Sequence, residues 1–141
     1  MIRQFVIEMS KEYTNAMKNT LEPSYYDTIL ELSTSNMVNA NNWLQSNLSE
    51  LSFYETQNIG KEIASYAEII TFLRESNNGY TDIDSKSKCE KLISDIYDKY
   101  EYKFRGEFSD KNNQEQMEYI QYILVPIYCI YIFLNDEIKK A

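Results

Sequence analysis

The residues of this chain that could do chemistry are few and scattered. Ser85 and Lys88 stand at a Ser-x-x-Lys spacing, which sets a hydroxyl and an amine one helical turn apart and can support a lysine-activated serine. No second motif accompanies them, and a solvated helix start is by far the better explanation of the pair. Asp82-x-Asp84 begins as a calcium loop begins, but Ser87 and Ile93 fill the places that require glycine and glutamate. Asn47-Leu48-Ser49 has the spacing of a glycosylation acceptor, without a secretory signal to give it meaning. Glu115 and Glu118 share a helical face, with no pocket or partner to make an acid pair of them.

The exclusions are sharper. The chain has no histidine. That removes Ser-His and Cys-His nucleophilic pairs, the imidazole general base and nearly all mixed-ligand zinc sites. Cys89 and Cys129 are too few for a four-thiolate site, and both fall at apolar helical positions, where free buried thiols are the expectation. Gly60, Gly79 and Gly106 stand singly, so no phosphate-cradling loop is present. The sequence therefore points to a protein without catalytic, metal or cofactor sites.

What remains is architecture. The 141 residues carry 43% hydrophobic and 26% charged side chains, with three glycines and two prolines. Such a chain can bury a core but has little turn chemistry for many short strands. The expectation is an all-α, single-domain bundle over 1–141, with five to six helices packed around a long apolar C-terminal helix. That helix is written in YIQYILVPIYCIYIFL, residues 119–134. Uncharged from 119 to 135, it would reach only about 25 Å as a helix, short of the ~30 Å apolar thickness of a bilayer. Its tyrosines are spread along the segment instead of gathering at two interfaces. A membrane anchor by residues 119–134 is accordingly disfavoured against a core helix, and Pro126 predicts a kink or break within it.

Upstream, apolar residues recur at helical steps. Ile2, Phe5, Val6, Met9, Tyr13, Ala16 and Met17 give one stripe. Pro23 suits the first turn of a second helix, which the Ser33-Thr34-Ser35-Asn36 cluster should end or recap. Met37, Ala40, Trp43, Leu44 and Leu48 begin a third segment. Ile59, Ile63, Tyr66, Ile70 and Leu73 mark a fourth, stopped at Asn77-Asn78-Gly79. Asp82 or Asp84 should cap a fifth, in which Tyr97 or Tyr100 packs inward. Ser109 or Asp110 should cap the last, with Lys139 and Lys140 at the negative end of its dipole.

Charge supplies the functional hint. Fourteen basic against 22 acidic residues give a net charge of −8, which disfavours direct nucleic-acid binding. Between Lys18 and Lys61 there is no basic residue at all, while Glu22, Asp27, Glu31, Glu50 and Glu55 fall in that window. So do the aromatic residues Tyr25, Tyr26, Trp43, Phe53 and Tyr54. Acids that steer and aromatics that hold would suit a protein partner with a basic surface, such as a toxin or nuclease. The competing reading makes the aromatics core and the acids a solvated rim.

Three function classes follow. The first is a small acidic inhibitor that occludes its partner: a toxin immunity protein, an antitoxin or an anti-defence inhibitor encoded by a bacterium or phage. The second is a structural or adaptor subunit, in a larger assembly or a homo-oligomer. The third, disfavoured, is a membrane-associated immunity or accessory protein anchored by residues 119–134. Glu8 interrupts the N-terminal segment before a signal sequence could form, so a cytoplasmic location is expected.

Overall fold

The computed structural model describes residues 2–79 and 82–138. Five helices are present among the described residues: α1 (Ile2–Lys18), α2 (Tyr25–Asn47), α3 (Phe53–Asn77), α4 (Ile83–Glu107) and α5 (Asn113–Asp136). There is no strand among the described residues. The all-α bundle is as the periodicity predicts, and α5 is its axis. Helices α1, α2 and α4 each pack directly on α5, and α3 closes the ring across α2 and α4.

The apolar run occupies the centre because it is apolar on every side. Leu124, Val125, Ile127, Cys129, Ile130, Ile132, Phe133 and Leu134 are all buried, which no single-faced helix could achieve. Fully burying a side chain such as Leu124 or Ile130 is worth roughly 1.5–3 kcal/mol. By length and composition α5 is also long and apolar enough to cross a membrane. Here its apolar residues are covered by neighbouring helices instead.

Pro126 does not break α5. The turn before it, Ile120–Leu124, widens to π geometry, with the Val125 N–H bonded to the Ile120 carbonyl five residues back. The wide turn relieves the crowding that the proline ring imposes on the preceding turn, and the helix resumes through Asp136.

Several boundaries differ from expectation for local reasons. The hydroxyl cluster does not end α2, which runs unbroken through it. Ser33 Oγ donates to the Ile29 carbonyl and Thr34 Oγ1 to the Leu30 carbonyl, both at 2.9 Å, so these side chains turn back onto their own helix instead of capping a new one. The predicted second and third segments are thus one helix. Pro23 lies before α2, and Ser24 caps it through the Asp27 N–H. Asn112, rather than Ser109 or Asp110, caps α5 through the Glu115 N–H. In α1 the inward face is rotated: Ser10 and Thr14 are buried beside Val6, whereas Phe5, Tyr13 and Ala16 are exposed. Small side chains there let α1 lie close against α5, near enough for the Cys129 thiol to reach the Ser10 carbonyl at 3.8 Å.

Other expectations match: Gly79 takes a φ of 88° just past the end of α3, and Asp82 caps α4. At its start α3 carries a reciprocal capping box of Ser52 and Glu55 that the sequence reading did not single out. Lys139 and Lys140 lie outside the described residues.

One long-range tie fixes α1 to α4. Arg3 donates to both oxygens of Glu101, at 3.0 and 3.2 Å, and to Asp98 at 2.9 Å. Glu101 is only 2% exposed and also accepts from Arg105 at 3.0 Å. Burial alone would push its carboxyl up, but the hydrogen bonds with Arg3, helped by the charges of Arg3 and Arg105, outweigh burial and hold it below the usual carboxylate range.

Candidate functional site

The packing that closes one end of the bundle leaves the other open. At the closed end Tyr25 meets Phe133 edge-on at 4.9 Å between ring centres, and the Tyr26 hydroxyl donates to the Leu73 carbonyl at 3.0 Å. At the open end no residue from 41 to 61 is buried. There the α2–α3 hairpin stands away from α4 and α5, and a cleft of about 280 Å³ lies between them.

The cleft draws on four helices. Helix α2 supplies Asn36, Asn39, Ala40 and Trp43; α3 supplies Ile59, Glu62 and Tyr66; α4 supplies Lys99, Tyr100 and Lys103. From α5 come Ile127 and two residues of the π turn, Tyr122 and Ile123. Trp43 is 46% exposed and Tyr122 71% exposed, so two large aromatic faces meet solvent at a concave site.

Glu62 anchors this site. It is 6% exposed, and both of its oxygens are engaged: Lys99 donates to one at 2.7 Å and the Tyr100 hydroxyl to the other at 2.8 Å. Burial, with the Glu62 charge beside them, pushes the Tyr66 and Tyr100 hydroxyls well above the ordinary phenol range, so both keep their protons at neutral pH. Tyr66 accepts from Asn36 Nδ2 at 3.3 Å. Its own proton has no acceptor among the described residues. Lys103 forms no ion pair among the described residues either.

Glu62 is the single carboxylate of the lining, and it is already saturated with donors. Among the described residues no three acidic or cysteine side chains gather where a metal ion could be held. The Ser85–Lys88 spacing carries no nucleophile, because Ser85 donates to Asp82 at 2.7 Å and Lys88 pairs with Glu68 at 2.8 Å. Cys89 and Cys129 are free and buried, and burial pushes both thiols up to about 12.

The residues expected to bind a partner fall into three places. Tyr25 is buried in the core, and Tyr26 is half-buried against it with its hydroxyl tied to the Leu73 carbonyl, so neither stands out as an exposed anchor. Glu22, Asp27 and Glu31 are exposed near the start of α2. Trp43, Glu50, Tyr54 and Glu55 gather around the free end of the hairpin, about 24 Å further along at 1.5 Å per residue. The window is therefore two separate surfaces. At the hairpin end the aromatics of the window are turned to solvent: Phe53 is 78% and Tyr54 71% exposed, with the half-exposed Leu48 nearby in sequence. Sequence reasoning missed Lys99, Lys103 and Tyr122 altogether. Pro126 was the one local signal, since it forces an irregularity into the helix that lines the cleft. Comparison with protein-family models, curated proteins and solved structures finds no match. What defines the molecule is its own geometry: an all-α bundle with an open hairpin end and a lateral aromatic cleft.

Proposed function

We propose that this is a small non-enzymatic binding protein that occludes a protein partner, docking through the free end of the α2–α3 hairpin. The observation that carries this reading is the exposed group Leu48, Phe53 and Tyr54, with Trp43 nearby, set in a stretch that has acids and no basic residue. Phe53 and Tyr54 bury little of their surface in the monomer, and exposed apolar and aromatic groups of this kind anchor interfaces. Glu50 and Glu55 rim the patch, so the complementary surface is a basic one around an apolar centre, as on a toxin or nuclease that must be held inactive. Toxin immunity, an antitoxin role and anti-defence inhibition all share that chemistry. Glu22, Asp27 and Glu31, at a distance, would steer the encounter without touching the partner.

The same charges weigh against the alternative of self-association, because two acidic tips brought together repel. An adaptor role in a larger assembly would use the same patch. A membrane-anchored role requires α5 to leave the core that its burial builds, so a cytoplasmic protein is the favoured reading.

Affinity capture from host lysate, run with wild type, a Phe53→Ser/Tyr54→Ser variant and a Glu22→Lys/Asp27→Lys/Glu31→Lys variant, tests this. The expected result is one basic protein, held in stoichiometric amount and released by salt. The tip variant should lose it through a faster off-rate, and the remote charge reversal should slow association. Full retention by the tip variant would refute docking there. Recovery of a large assembly would favour the adaptor role.

A further inference from the structure

We propose that the cleft beside the hairpin is a binding site for a small planar aromatic anion, separate from the docking tip. Three observations carry this. Trp43 and Tyr122 offer large exposed ring faces at the mouth, the form a flat ring system needs for stacking. The polar lining is rich in donors: the Tyr66 hydroxyl has a proton to give, and the Lys103 ammonium has no partner among the described residues. Finally, the lining holds two lysines against one glutamate, so it is positive in a protein whose net charge is −8.

The charge balance decides the sign of the ligand. A cation drawn to the aromatic faces would meet the Lys103 ammonium, while the one carboxylate of the lining, Glu62, already accepts from Lys99 and Tyr100 on its two oxygens. The free charge is the ammonium of Lys103, which calls for a carboxylate or phosphate on the ligand. Size decides the rest. At about 280 Å³ the cleft lies at the low end for ligand sites, room for one ring system and its substituents. Nucleoside monophosphates and aromatic carboxylic acids both meet this description.

Trp43 is the single tryptophan of the chain and lines the cleft, so its fluorescence reports occupancy directly. The full-length protein is excited at the red edge of tryptophan absorption and titrated with adenosine monophosphate and, separately, with benzoate. The uncharged counterparts, adenosine and benzamide, are run beside them. Saturable quenching is expected with at least one of the two anions, and which one identifies the source. Its uncharged counterpart should bind about fivefold more weakly, as should the anion to Lys103→Ala, matching the modest worth of one exposed charge contact. The Phe53→Ser/Tyr54→Ser variant should bind like wild type, which separates this site from the docking tip. Lys103 is exposed, so its loss leaves the fold intact, which circular dichroism verifies. No saturable quenching by either anion at millimolar concentration would overturn the proposal. Equal affinity for charged and uncharged forms, or an unaltered Lys103→Ala, would overturn it as well.

Discussion

Replacing Arg3 with methionine keeps the aliphatic stem and removes the charge, and the consequence can be worked from the contacts. Glu101 loses two of its three hydrogen bonds, those at 3.0 and 3.2 Å, and keeps only the one from Arg105 at 3.0 Å. Breaking a buried pair outright costs about 3–5 kcal/mol because a charge is left unmatched. Arg105 softens that, while the exposed Arg3–Asp98 contact adds little. The expected loss is about 2 kcal/mol, which lowers Tm by roughly 6–10 °C and the urea midpoint by about 1 M. The pH dependence separates charge from packing. A carboxyl whose pKa is lowered on folding contributes stability that is complete above the unfolded value of about 4.3 and disappears as pH falls through the folded value. Urea melts followed by circular dichroism should therefore show the full gap at neutral pH and a shrinking one under acid conditions. Equal midpoints at neutral pH would refute the reasoning. A gap that persists undiminished in acid would assign the effect to the guanidinium lying 5.2 Å over the Tyr97 ring.

Other consequences are quickly checked. Neither Cys89 nor Cys129 should react with a disulfide reagent in the native protein at pH 8, and both should react in urea, because burial holds the thiols protonated and inaccessible. Ser52→Ala removes one half of the capping box and should cost about 1 kcal/mol in thermal melts, with no change in the folded spectrum. Ile130→Ala, at a fully buried position facing several helices, should cost about 2–5 kcal/mol by the same assay.

How much of this was legible in the sequence depends on range. Helix α5 was plain because its apolar residues cover every side, and α3 and α4 because their stripes are regular and their stops chemically marked. The break predicted at Ser33–Asn36 failed because a hydroxyl can bond back to its own helix as readily as it caps a new one, and tertiary packing decides which. The face of α1 was misread since Ser10 and Thr14 are small rather than apolar, and closeness to α5 is a property of the pair. The cleft was not legible at all. Its residues lie between 36 and 127 on four helices, and only the fold brings Trp43 to Tyr122. The acidic-aromatic window was real as composition, but folding divided it between core, steering surface and hairpin end.

The wide turn at Ile120–Leu124 carries a consequence in heritable terms. A π turn accommodates one residue more than an α-helix would in the same span. Losing a single codon there would return the segment to regular winding while the helix on either side keeps its faces, because the bulge is what absorbs the extra residue. The change would be local: Tyr122 and Ile123, the residues of the wide turn that line the cleft, would be displaced, while Val125–Asp136 keeps its place in the core. The bundle can therefore tolerate a one-residue change of length at this point, and the cleft is the part of the molecule that such a change would remodel.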